Sequence, residues 1–180
     1  MKTWTIKKRI ITGFAGVIGI TLALGGFAWA RLATVQNHSN QITQLSLPAI
    51  EVVYHLQNIA KENVLVVYKY IGSDDPADKA RLAATLADGA AENTRLYDQM
   101  DRFVPGGRGR ALLDQVKAAR GENTRLRARV LEAGRSGTNI LAVYTLARSQ
   151  LDPATARYLT ALEGLVDDLR INADDAGKAI

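Results

Sequence analysis

LPAIEVVYHLQNIAKENVLVVYKY, residues 47–70, decides the fold. Ala49, Val52, Leu56, Ile59, Asn63, Val66 and Tyr70 follow one another in alternating steps of three and four. An α-helix turns once in about 3.6 residues, so these side chains share one face and form the seam of a helical bundle or coiled coil. Upstream, the same alternation runs back through Val35, His38, Ile42 and Leu45.

Downstream, the pattern stops at IGSDDPADK, residues 71–79. Gly72 suits a C-terminal cap, Asp75 the next N-cap and Pro76 the first helical position. A second seam follows on Leu82, Leu86, Gly89, Asn93, Leu96, Met100 and Phe103, and breaks at VPGGRG, residues 104–109. The third runs through Leu112, Val116, Ala119, Asn123, Leu126, Val130 and Ala133 to the Gly134–Gly137 stretch. The fourth, from near Thr138, reads Ile140, Tyr144, Ala147, Leu151, Thr155, Tyr158, Leu162, Leu165, Leu169 and Asn172. It crosses Asp152-Pro153 in register, which predicts one helix kinked where Pro153 cannot bond the Ser149 carbonyl. No segment alternates with a period of two, so no sheet is expected. Two rods of about 42 residues flank two of about 28, or ~63 and ~42 Å. Those lengths predict an all-α, up-down-up-down antiparallel four-helix bundle whose short pair packs on the distal part of the long pair.

Before the first seam, Ile10 to Ala30 carry no charge, and a helix of that length spans the ~30 Å hydrocarbon core of a bilayer. Ala28-Trp29-Ala30 has the small-x-small spacing of a signal-peptidase site, but export signals have shorter apolar runs of about 7 to 15 residues. The length favours a retained anchor over a cleaved signal. Ala15, Gly19 and Ala23 put small side chains on one face of it, where a second membrane helix can approach. Lys7-Lys8-Arg9 places residues 1–9 in the cytoplasm and sends residues 31–180 across the membrane, with Trp29 suited to the outer interface. The transmembrane helix, residues 10–30, is then continuous with helix one of the bundle.

The net charge of +5 is concentrated ahead of the apolar run. After Ala30, nineteen basic and eighteen acidic residues leave +1, interleaved along helices without aromatic platforms or a basic stripe. Nucleic acid is therefore not an expected partner. The absence of cysteine removes disulfides, thiolate metal sites and covalently attached haem. Glu51 and His55 stand one turn apart, two metal ligands without a third. No nucleotide, hydrolase or metalloprotease signature occurs, so neither a cofactor nor catalysis is expected.

Ile6-Lys7-Lys8-Arg9-Ile10 opening a Gly-rich apolar helix, the Leu47-Pro48-Ala49-Ile50 step and the Gly-Ser-Asp-Asp-Pro tip together resemble the N-terminal part of a methyl-accepting chemotaxis protein. The similar region is the first membrane helix plus the four-helix-bundle ligand-sensing domain, over essentially the whole chain. The resemblance implies a homodimeric receptor of the bacterial inner membrane with a periplasmic sensor domain. A small-molecule ligand binds near the distal end, or a periplasmic binding protein docks there, and a displacement of the fourth helix carries the signal inward. Similar bundles serve histidine kinases and diguanylate cyclases. An anchored or secreted structural bundle without a small-molecule ligand is the alternative from another class.

The pentapeptide ENTRL occurs at 92–96 and at 122–126, setting Asn93 and Asn123 on seams, as Asn63 is on the first. From helix rise, Asn63, Asn93 and Asn123 stand ~50, ~38 and ~47 Å above the membrane. Asn63 and Asn123 thus share a layer, where they fix register or help hold a ligand. Family receptors for amino acids grip the ligand carboxylate with arginines on the first helix, which here has only Lys61 and Lys69 beyond Arg31. Lys69 with Tyr144, Thr145 and Arg148 is the nearest equivalent set: cations for a carboxylate and hydroxyls for its remaining oxygens. With Asn63 and Asn123 these are the candidate ligand-binding residues, and the expected ligand is an amino or organic acid.

Overall fold

A computed structural model describes residues 6–136 and 139–178, with side chains except at 6–10, 12, 33–35 and 37–43. All regular structure among them is helical. Helix α1 (Ile6–Gln41), a π-helical turn (Ile42–Ser46) and α2 (Leu47–Gly72) form one unbroken rod. Helices α3 (Pro76–Phe103) and α4 (Gly107–Arg135) follow, 28 and 29 residues long. Then α5 (Ile140–Leu146), a second π-helical turn (Ala147–Leu151) and α6 (Asp152–Lys178) make the last rod. Four antiparallel rods, two long and two short, are the architecture that the seam lengths predict. Gly13–Leu32 is long and apolar enough to cross a membrane, and its side chains are exposed where described.

The two prolines inside the long rods explain the π-turns. Proline lacks the N–H that would bond the carbonyl four residues back, and its ring collides with that carbonyl. Pro48 faces the carbonyl of Gln44 and Pro153 that of Ser149, and each π-turn contains the displaced carbonyl and ends two residues before the proline. The rod predicted to kink at Pro153 is indeed continuous, and a widened turn absorbs the conflict.

The ends hold two corrections. Gly72 is the last helical residue of α2, and Ser73 in extended conformation is the cap. The glycine is needed for room, since a Cβ there would lie 3.2 Å from the Tyr144 hydroxyl. Helix α4 also runs through Gly134 to Arg135, and a Cβ on Gly134 would lie 3.0 Å from the Tyr70 ring. The Asp75 cap is as predicted, its carboxylate accepting from the Ala77 N–H at 2.9 Å ahead of Pro76. Asn139 caps α5 through Leu141 N–H at 2.9 Å, while the predicted start at Thr138 lies outside the described residues, as do the side chains of Val35, His38 and Ile42.

Each rod buries more than its seam. On α2, Val53, Ala60 and Val67 form a second buried row at heptad spacing beside the predicted one. A helix inside a bundle buries a stripe broader than the two positions per heptad of a coiled coil. On α4 the buried set is Gly109, Leu113, Val116, Leu126, Arg127 and Val130, and on α3 Tyr97 joins the seam. Ile140 and Asn172, predicted on the fourth seam, are exposed at its two ends.

The apolar core is divided into two clusters. The lower holds Leu56, Met100, Leu113, Val116, Tyr158, Leu162 and Leu165, the upper Val67, Leu86, Val130, Val143 and Leu151. Each fully buried Leu or Val contributes ~1.5–3 kcal/mol through burial. Backbones approach closely between α2 and α3 and between α4 and α6, but hardly at all between α3 and α4. Long side chains span that gap: Asp101 receives both Arg110 and Lys117, Thr94 receives Arg120, and Lys79 donates to the Gly134 carbonyl.

Candidate functional site

The two core clusters leave a gap on every rod, and polar residues fill it. On α2 the gap falls between Ala60 and Val67 and contains Asn63; on α3, between Leu96 and Leu86, it contains Asn93. On α4 it contains Arg120 and Asn123, and on α6 Thr155. Asn93 therefore joins the layer expected to hold only Asn63 and Asn123. Helix rise places residues along one rod, but adding heights across three rods and two turns accumulates error.

The three asparagines behave differently. Asn123 Nδ2 donates to Thr155 Oγ1 at 2.7 Å, and that hydroxyl donates to the Leu151 carbonyl at 3.0 Å. The last residue of the second π-turn is thus tied through Thr155 to α4. Asn63 lies over Gly89, its Oδ1 3.2 Å from where a Cβ there would stand. Asn93 is buried, and its Oδ1 has no hydrogen-bond partner. Below Asn93 by one turn, Tyr97 reaches Tyr158 of α6, hydroxyl to hydroxyl at 2.9 Å. Burial drives both phenols well above their ordinary range.

A second polar cluster lies nearer the distal tip. Tyr68 of α2 and Tyr144 of α5 stack with ring centroids 5.9 Å apart. Tyr68 donates its hydroxyl proton to Asp152 Oδ2 at 2.8 Å. Its pKa is pushed up to about 12, first by burial, then by that hydrogen bond and the carboxylate charge. Arg148 opposes the rise, so its guanidinium lies within electrostatic reach of this pair. The other carboxylate oxygen, Asp152 Oδ1, is enclosed and unpartnered.

Of the residues predicted to bind ligand, Tyr144 and Arg148 meet at this cluster. Thr145 is exposed and donates to the Leu141 carbonyl of its own helix at 2.8 Å. Lys69 is exposed and within electrostatic reach of Asp78, whose carboxyl is held down mainly by the Arg81 hydrogen bond and only lastly by Lys69. No described contact joins Lys69 to the other three. Tyr68 and Asp152 were missed because neither lies on a seam: Tyr68 flanks Val67, and Asp152 reads as a turn residue before proline.

An all-α antiparallel bundle of two long and two short rods, split by a polar layer and continuous with one apolar helix, defines the class of a helical sensor module. The family model of a four helix bundle sensory module for signal transduction matches residues 3–180, and the chain belongs to that family, the sensing region of methyl-accepting chemotaxis proteins. It is a sensory signal-transduction module of chemoreceptor type, from a family that is not catalytic. No curated protein matches the chain.

Proposed function

We propose that this chain is the ligand-sensing domain of a bacterial chemoreceptor that works by ligand-shifted packing of its helices. In this reading residues 1–9 are cytoplasmic, 10–30 cross the inner membrane and 31–180 stand in the periplasm as part of a homodimer. The ligand is a small amino or organic acid recognised by Tyr144 and Arg148, with Lys69 and Thr145 at the rim and Asn63 and Asn123 in the layer below. A docked periplasmic binding protein is the other route of input.

One observation carries the reading: an unbroken rod leads from the apolar span to the distal cluster, where α5 and α6 pack beside it through Tyr68, Tyr144 and Asp152. A ligand that prefers one packing of these rods shifts the equilibrium by its differential affinity for the two. The test is thermal unfolding of the full chain in nanodiscs against a panel of amino and organic acids. A binder at a hundred times its Kd stabilises the fold by about 2.7 kcal/mol. The reading predicts at least one such acid, and no shift from any member contradicts direct sensing.

A further inference from the structure

The last rod is fastened unevenly along its length. Below its π-turn, Asp152, Thr155, Arg157, Tyr158 and Asp168 each hold a polar partner on another rod. Above it, no hydrogen bond or ion pair among the described residues joins residues 140–146 of α5 to another rod. Of the seven residues of α5 only Val143 is buried, while Ile140 and Leu141 stand exposed. Two contacts hold the helix down: Val143 in the upper core, and the Tyr144 ring stacked on Tyr68. A segment with so few buried contacts opens at a free energy well below that of the whole fold.

The turn that joins α5 to α6 suits bending. The Asp152 N–H bonds the Ala147 carbonyl, five residues back, and Pro153 has no N–H to offer the Arg148 or Ser149 carbonyl. The backbone ladder is thinned there. Ser149 Oγ donates to the Thr145 carbonyl at 2.7 Å, and Thr145 Oγ1 to the Leu141 carbonyl at 2.8 Å, back-bonds of the kind that bend helices.

We infer that α5 is a lid hinged at Ala147–Leu151, which lifts off α2 and α4 as one piece while the rods below the turn stay packed. Lifting it uncovers the Val143 site in the upper core and the face of Tyr68 that Tyr144 covers. The movement stands on packing and on the joint alone. Its role, as a gate over the distal cluster, rests on the sensor reading.

The chain has no cysteine, so single-cysteine variants report one site at a time. The test labels Val143→Cys, Val116→Cys and Val166→Cys with an aromatic disulfide reagent, in the full chain in nanodiscs without denaturant. All three valines are buried, the last two in the lower core. The inference predicts that Val143→Cys reacts at least ~100-fold faster than the other two. Tyr144→Ala removes the ring that holds the lid and raises the Val143→Cys rate a further ~10-fold, whereas Tyr144→Phe leaves it unchanged. Deleting the exposed Gln150 together with Pro153→Ala rebuilds the turn as α-helix and slows Val143→Cys by ~10-fold. Pro153→Ala alone slows it less, and decides the joint where the deletion impairs folding. Labelling of Val143→Cys no faster than the two lower sites overturns the lid. Acceleration of all three sites by Tyr144→Ala overturns it as general loosening. An unchanged Val143→Cys rate in the Pro153 variants overturns the joint and leaves fraying of α5. No acid is added in any arm, so a failed lid leaves the sensor reading to its own test.

Discussion

The Tyr97 and Tyr158 hydroxyls lie 2.9 Å apart in the buried centre of the bundle, where two full-length phenols reach across rods whose backbones hardly approach each other. Each phenol satisfies the other's polar tip across that span. Removing one hydroxyl strands the other. Tyr97→Phe and Tyr158→Phe are each expected to destabilise the chain by ~1–3 kcal/mol, and the double variant by clearly less than the sum. Urea unfolding of the four proteins in one cycle checks this, and additive losses would deny the pairing.

Alkaline stability should depend on three phenols. Tyr68 is raised to about 12 in the fold, against an ordinary value near 10, and Tyr97 and Tyr158 are raised as well. The unfolded chain therefore releases these protons at lower pH than the folded one. Their contribution to stability is intact below pH ~10 and is lost as pH rises from there through the folded values. For Tyr68 the loss falls between the ordinary value and about 12. Absorbance titration at the phenolate band should show Tyr68, Tyr97 and Tyr158 delayed, and Tyr68→Phe should remove one delayed phenol and flatten the fall in stability within that window.

Glycines separate close approach from mere helix content. A Cβ on Gly109 would stand 2.8 Å from Val104 Cγ1 and 3.4 Å from Asp168 Oδ2, beside the Arg108–Asp168 ion pair of 3.1 Å that fastens the start of α4 to α6. Gly109→Ala is expected to destabilise by ~1–3 kcal/mol through overpacking. Gly121 lies mid-helix on α4 with nothing within 4 Å of a Cβ, so Gly121→Ala should stabilise by ~0.5–1 kcal/mol. Thermal unfolding of both variants is the check, and shifts of the same sign would refute the packing assignment.

The seams made the fold legible before any coordinates, because Ala49, Val52, Leu56, Leu86, Leu96, Val116, Leu151 and Leu162 repeat with helical spacing and all are buried. Even the second π-turn left a mark. Ala147, Leu151 and Thr155 are two consecutive steps of four, the extra residue that a π-helical turn accommodates. What spacing could not convey was which polar residues turn inward. Arg127 reads as a solvated charge, and only the folded chain shows it largely buried on α4. Tyr68 and Asp152 are far apart in the chain, and only the tertiary pairing of α2 with α6 makes their hydrogen bond.

Asp152 Oδ2 holds Tyr68 while Oδ1 is enclosed without a donor. Asp152→Asn puts an amide in place of the carboxylate and weakens the charge-assisted bond, so Tyr68 should titrate closer to its ordinary value with a stability loss of ~1 kcal/mol. Absorbance titration reads the phenol, and an unmoved Tyr68 would show that Asp152 does not govern it.

The account turns on α6 changing its position beside α2 when an acid binds. Spin labels at Asn58 on α2 and Thr160 on α6, both exposed, allow that distance to be measured by pulsed electron resonance in the full chain in nanodiscs. With a saturating amount of an acid that raises the melting temperature, the account predicts a shift of ~1–2 Å in the distance distribution. An unchanged distribution under proven saturation would contradict it.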